Sequence, residues 1–365
     1  MYSRLLAGLN GLALVFTCLM AAEAQPVEAA VIDARNVDQL APVAQIDFSA
    51  LPAEAGEILN GRVYVSADGR HLAVVNRDSQ VVFLDDTGAL LGVTETMLTS
   101  DGFPATFIDG AFDDMGNVFA AVHTAGGSYN ITLATVGAGS ETTTVISDDK
   151  PVSVWLDSEF VWLEVIPADP NQPTYLAQTT LVDVGTGQFA TTRWTRRPFA
   201  PAQDREAVAR IGRLPAPLAV TATQDGQVSR WNLSTGERSA MARVDAVPIY
   251  GAATPDGRYL AWRDPASTRL SVLDFETGQN RLVASLNGLY VPFLLISARA
   301  DVVIGVHPND EPVVVAWEVS TGSLHRLGPY RHCLRPPDMV RLSNNAQRLV
   351  IGCDAGLQIW QVSPA

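Results

Sequence analysis

Residues 254–278 read Thr-Pro-Asp-Gly-Arg-Tyr-Leu-Ala-Trp-Arg-Asp-Pro-Ala-Ser-Thr-Arg-Leu-Ser-Val-Leu-Asp-Phe-Glu-Thr-Gly. Two tight turns bracket short apolar runs here. Thr254-Pro255-Asp256-Gly257 suits a type I turn completed by a left-handed glycine, and it leads into the run 259–262. Leu273-Asp274-Phe275-Glu276-Thr277-Gly278 closes the next run: Asp can bond the backbone of its own turn, and Gly takes the positive φ that sends the chain back. Each turn marks one antiparallel strand pair, so the two in fixed order describe a meander of four strands.

Both turns recur along the chain. The second returns at Leu84-Asp85-Asp86-Thr87-Gly88, Val182-Asp183-Val184-Gly185-Thr186-Gly187, Trp231-Asn232-Leu233-Ser234-Thr235-Gly236 and Trp317-Glu318-Val319-Ser320-Thr321-Gly322. Glycines 187, 236, 278 and 322 are 49, 42 and 44 residues apart, the length of a four-stranded blade, and the gap of 99 from Gly88 to Gly187 holds two such units. The first turn returns at Ser66-Ala67-Asp68-Gly69-Arg70 and, weakened, at 112–117 and 343–348. The spacing predicts an all-β, seven-bladed β-propeller, with six or eight blades as alternatives. The units are 58–96, 107–147, 152–194, 206–244, 249–286, 292–327 and 339–362.

The last unit ends one strand short, and a bare sheet edge invites wrong pairing. Residues 42–48 alternate in polarity and have no other partner, so they are expected to supply the missing strand and seal the ring.

The ends of the chain carry a different message. Arg4 precedes an apolar run over 5–21, and Ala22-Glu23-Ala24 fits a small-x-small cleavage rule. The reading is a signal peptide over 1–24, a leader over 25–41 and one propeller domain over 42–365; an uncleaved anchor or a lipoprotein at Cys18 are the other readings. Export leaves Cys333 and Cys353 in an oxidising compartment, where a disulfide is expected, or else two buried free thiols. Strand pairing in the last unit would bring both to one face of the ring.

Net charge is −14 with Lys150 the only lysine, which discounts nucleic acid and anionic membrane as partners, since both are gripped through clustered basic groups. Arg193, Arg196 and Arg197 read as a solvated loop edge. Five scattered histidines give no zinc spacing, and His332 beside Cys333 reads as a loop residue. The pairs Asp85-Asp86, Asp113-Asp114 and Asp148-Asp149 suggest calcium less well than turn capping. No catalytic-serine or phosphate-loop motif occurs. Trp231, Trp262, Trp317 and Trp360 fall where blades pack. Trp155, Trp162 and Trp194 crowd the irregular third unit beside the insertion 167–173, and are candidate partner-binding aromatics.

On these residues the chain resembles the WD-repeat propellers over 42–362. The Asp-Gly-Arg turns carry the likeness, together with Trp231-Asn232, Trp317-Glu318 and Trp360-Gln361 where the family has Trp-Asp. The lead-in 32–40 resembles that of many bacterial members. The family's Gly-His ahead of the first strand is absent, so its buried His–Asp network is not carried over; the broader class of lactonase-like and quinoprotein propellers is also compatible. The resemblance implies a monomeric, non-catalytic, extracytoplasmic scaffold for an unidentified protein or small ligand, without cofactor. The alternative is a lactonase-like, metal-dependent hydrolase acting at the central channel.

Overall fold

The computed structural model describes residues 30–362, apart from 138–140, 148, 173, 186–187, 199–208, 211–217, 224, 233–234, 236, 247, 249, 265–267, 288, 290, 308–312, 330–338 and 354. Seven sheets follow one another along the chain, each an antiparallel meander of strands a to d. Blade 1 is Ile58–Val65, His71–Asn76, Val81–Asp85 and Leu90–Val93. Blade 2 is Thr106–Phe112, Val118–Ala125, Ser128–Thr135 and Glu141–Ser147. Blade 3 is Lys150–Leu156, Phe160–Ile166, Tyr175–Gly185 and Gln188–Thr191, with Thr195–Pro198 as a fifth strand. Blade 4 is Ala209–Arg210, Leu218–Ala222, Gln227–Asn232 and Glu237–Arg243. Blade 5 is Tyr250–Ala253, Tyr259–Arg263, Arg269–Asp274 and Asn280–Ser285; blade 6 is Phe293–Ile296, Val302–His307, Val313–Glu318 and Leu324–Pro329. Blade 7 is Met339–Leu342, Leu349–Cys353 and Gly356–Val362, and its strand d is the N-terminal Leu40–Asp47.

The seven-bladed propeller and its closure therefore stand as expected. Leu40 pairs with Val362, Pro42 with Trp360 and Ile46 with Leu357, antiparallel, with a register shift between Pro42 and Ala44. The strand begins two residues earlier than position 42, and the lead-in before it belongs to the core. Ile32 and Val37 are fully buried in the cluster that joins blades 6 and 7, Ile32 N–H donates to the Ala346 carbonyl (2.8 Å), and Asp33 bonds Arg35.

Strands b and c are largely buried on both faces because every blade packs against two neighbours. Leu260, Ala261, Trp262 and Arg263 are all buried, as are Leu349, Val350, Ile351, Gly352 and Cys353. The a–b turns share a device that composition hid. In blade 5 Thr254 Oγ1 donates to Asp256 (2.6 Å) and accepts from Tyr259 N–H (3.0 Å), while Asp256 accepts from Arg258 N–H (3.0 Å). Ser66 with Asp68, and Ser343 with Asn345, repeat it. The fourth position is left-handed in each: Gly257 at φ 65°, Gly69 at 75° and Ala346 at 54°. Blade 6 uses Ser297 and Ala300 (φ 56°), a turn that a search for Asp-Gly passes over.

Neighbouring blades are stitched at these turns. His71 Nδ1–H donates to the Gly116 carbonyl (2.7 Å) between blades 1 and 2, and Arg230 to the Gly257 carbonyl (3.2 Å) between blades 4 and 5. Arg348 donates to the Asp68 carbonyl (3.1 Å) across the closure and also pairs with Asp86.

Candidate functional site: the central channel

Strand a of blades 1, 2, 3, 5, 6 and 7 and strand b of blade 4 supply described residues to the wall of a central cavity of about 700 Å³. Its wall is divided. From blades 4, 5 and 6 the described lining residues are Leu218 to Val220, Gly251 to Ala253 with Pro255, and Pro292 to Ile296 with Ala298; none has a polar side chain. Blade 3 adds Ser153, Val154, Trp155 and Leu156. Among the described lining residues the charged ones come from two other blades: Asp109, Asp113 and Asp114 from blade 2, Arg341 from blade 7.

The blade 2 carboxylates differ in what they do. Asp109 is 3% exposed and accepts from the Tyr64 hydroxyl (3.1 Å) and Val154 N–H (3.3 Å), tying blades 1, 2 and 3 together at the wall. Asp113 caps its turn by accepting from Asn117 N–H (2.8 Å) and Val118 N–H (3.0 Å). Burial pushes the Asp113 carboxyl above the ordinary range, opposed by those N–H groups and aided by the neighbouring charge of Asp114. Asp114 is exposed at the mouth.

Two of the third-unit tryptophans, Trp155 and Trp162, pack together, and Trp194 lies apart from them. Trp155 lines the channel; Trp162 is 1% exposed and packs with Trp155, Phe160, Leu176 and Ala219; Trp194 is half-buried against the core between blades 2 and 3. A partner on the outer surface could not touch Trp162 without opening the sheet. The insertion is a loop between strands b and c, anchored where Asp149 accepts from Ala168 N–H (2.9 Å) and the Tyr175 hydroxyl (2.8 Å). Arg196 stacks over the Tyr175 ring at 3.7 Å and donates to Gln172 (3.0 Å), so this arginine is held rather than loose.

Of the other acidic pairs, Asp86 pairs with Arg348 across the closure and Asp85 caps its own turn. Burial pushes the Asp85 carboxyl up, but the Thr87 hydroxyl (2.7 Å), Ala89 N–H (2.8 Å) and Thr87 N–H (2.9 Å) donate to it, and these bonds hold it below the ordinary range. Asp148 and His332 lie outside the described residues. Among the described residues, no three His, Cys, Asp or Glu side chains gather as a metal site would require. Cys353 ends strand b of blade 7 and is 3% exposed; Cys333 lies outside the described residues, as do 1–29. Among the described residues no helix is long and apolar enough to cross a membrane.

Among the described residues a tryptophan-to-hydroxyl contact joins strands c and b in blade 4. Trp231 Nε1–H donates to Thr221 Oγ1 (2.9 Å) between strands c and b of blade 4. Trp360 Nε1 has no hydrogen-bond partner, and Trp262 bonds Asn280 (3.1 Å) instead.

This geometry defines the class: a WD-repeat-like seven-bladed β-propeller with an apolar-walled channel. Among solved structures it is similar to the crystal structure of the Cps50 (Swd1) β-propeller domain of Myceliophteria thermophila, at 14% identity and a TM-score of 0.57, over 89% of this chain and 100% of that one. At that identity the likeness shows the fold. No family model matches the sequence, and no curated protein matches it.

Proposed function

We propose that the chain is a non-catalytic, extracytoplasmic scaffold that presents its loops and channel to a protein or small ligand. The supporting observation is how the channel carboxylates are employed. Asp109 and Asp113, the two that are buried, are committed to Tyr64, Val154, Asn117 and Val118, contacts that hold blades and a turn in place. A rigid ring with loops free to vary suits recognition by complementarity. Export rests on the signal-like residues 1–24, and the proposed Cys333–Cys353 bridge would reinforce the blade at which the ring is sealed.

The test combines two measurements. Purified full-length chain, cross-linked in the envelope fraction of its own cell, is expected to capture a defined partner, and deletion of 167–173 to reduce that capture. Stoichiometric calcium or zinc in the purified protein, with turnover of a lactone, would replace the scaffold reading by the metal-dependent hydrolase.

A further inference from the structure

The channel is amphipathic across its width, and that asymmetry selects a ligand. Blades 3 to 6 are contiguous and supply Trp155, Leu156, Val220, Ala252 and Phe293, while the charges of the described lining residues sit on blades 2 and 7. Sites of about 300–1,000 Å³ with an apolar wall and a few placed polar groups are those that take small organic molecules. Phe293 and Leu295 are only partly buried, so apolar surface there stays open to the cavity. Covering such surface is the driving force for an apolar body to enter. Among the described lining residues three carboxylates face the guanidinium of Arg341, a balance that raises the cost of admitting an anion.

We propose that the channel binds a small aromatic molecule free of negative charge, its ring on the wall of blades 3 to 6 and its polar end toward blade 2. This deepens the scaffold reading by giving it a ligand class. The site needs no catalytic group, and the bound molecule leaves unchanged.

Three probes of one shape test it by calorimetric titration of the full-length protein: 1-naphthylmethylamine, 1-naphthylmethanol and 1-naphthoate. The amine and the alcohol are expected to bind one to one, with naphthoate roughly tenfold weaker or worse. Ala252→Phe, which fills the space, should weaken both by about tenfold, and Phe293→Ala, which removes part of the wall, by about fivefold. Unchanged thermal unfolding of either variant is enough to make its titration count. Absence of saturable binding, equal binding of naphthoate, or indifference to both variants overturns the proposal. If the probes fail while the cross-linked partner is still captured, the channel inference alone falls; probe binding without any partner removes the protein-scaffold reading and keeps the channel site.

Discussion

The closure between blades 7 and 1 and the irregular blade 3 show opposite solutions to one problem. At the closure, strands from the two ends of the chain meet, and no short peptide link keeps them together. Ile46 lies so close under Gly356 that a Cβ there would sit 2.1 Å from the Ile46 carbonyl oxygen, and Gly88 covers its side chain. Arg348 holds the Asp68 carbonyl and Asp86, Asn345 N–H donates to the Ala67 carbonyl (3.2 Å), and the lead-in adds Ile32 and Val37 to the core. Blade 3 is looser in design: its strand c is 11 residues long, and its outer edge is shared by Gln188–Thr191 and Thr195–Pro198. Closing a long loop costs entropy that contacts must offset, whereas blades 3 and 4 are held near each other by the chain itself. Redundant contacts gather where connectivity gives no help, and irregularity is tolerated where it does.

The largest expected effect follows from breaking the closure. Ile46→Asp places a charge in the blade 7 to 1 core and should cost about 4 kcal/mol or more, enough to leave much of the chain unfolded in urea titrations monitored by tryptophan fluorescence. Equal stability of this variant and the parent would show that the N-terminal strand is dispensable. Next, Arg348→Met removes two bonds at a mostly buried site and is expected to cost about 2–3 kcal/mol. Arg196→Met at blade 3, where the cation stacks in the open, should cost less than about 1 kcal/mol. Similar losses for the two arginines would erase the contrast between the regions.

Trp231→Phe should cost on the order of 1–2 kcal/mol, since it leaves Thr221 Oγ1 without its donor. A further expectation concerns the seam between blades 1 and 2, which is ordinary in connectivity and is expected to be sensitive to acid. His123 is 3% exposed, Nε2–H donates to the Ser79 carbonyl (3.0 Å), and Nδ1 has no partner. Burial holds its pKa below the ordinary value of about 6.5, because the cation would lose its water. The unfolded chain therefore takes up the proton first. The contribution is fully favourable above the unfolded value and is lost as pH falls from there toward the folded one. Chemical denaturation between neutral and mildly acidic pH should show this fall, and His123→Gln should flatten it; an unchanged slope would assign the acid sensitivity elsewhere.

Much of the fold was legible because each blade is a local object. Thr277-Gly278 and Pro255-Asp256-Gly257 report turns made by adjacent residues, and their repeat distance reports the blade. The turn at Ala300 was not legible, since its signal is the buried Ser297 hydroxyl and a left-handed alanine rather than an Asp-Gly pair. The third-unit tryptophans were legible as a cluster in sequence. Their placement was not, because strand pairing sets Trp155 against Trp162 beside the channel while Trp194 packs on a separate core between blades 2 and 3. The channel site was missed as a set of residues: Ala252 and Val220 carry no chemical signature by themselves.

By itself the sequence determined the strand order within each blade, the number of blades and the segment that completes the last one, since hairpin turns and two-residue periodicity depend on neighbours along the chain. Only the tertiary structure decided that the lead-in joins the core, that Arg348 locks the seam, and that apolar residues from blades 3 to 6 confront carboxylates from blade 2. Those relations exist only once the ring has brought residues far apart in sequence to one axis, and no local preference encodes which side chains will face one another across it.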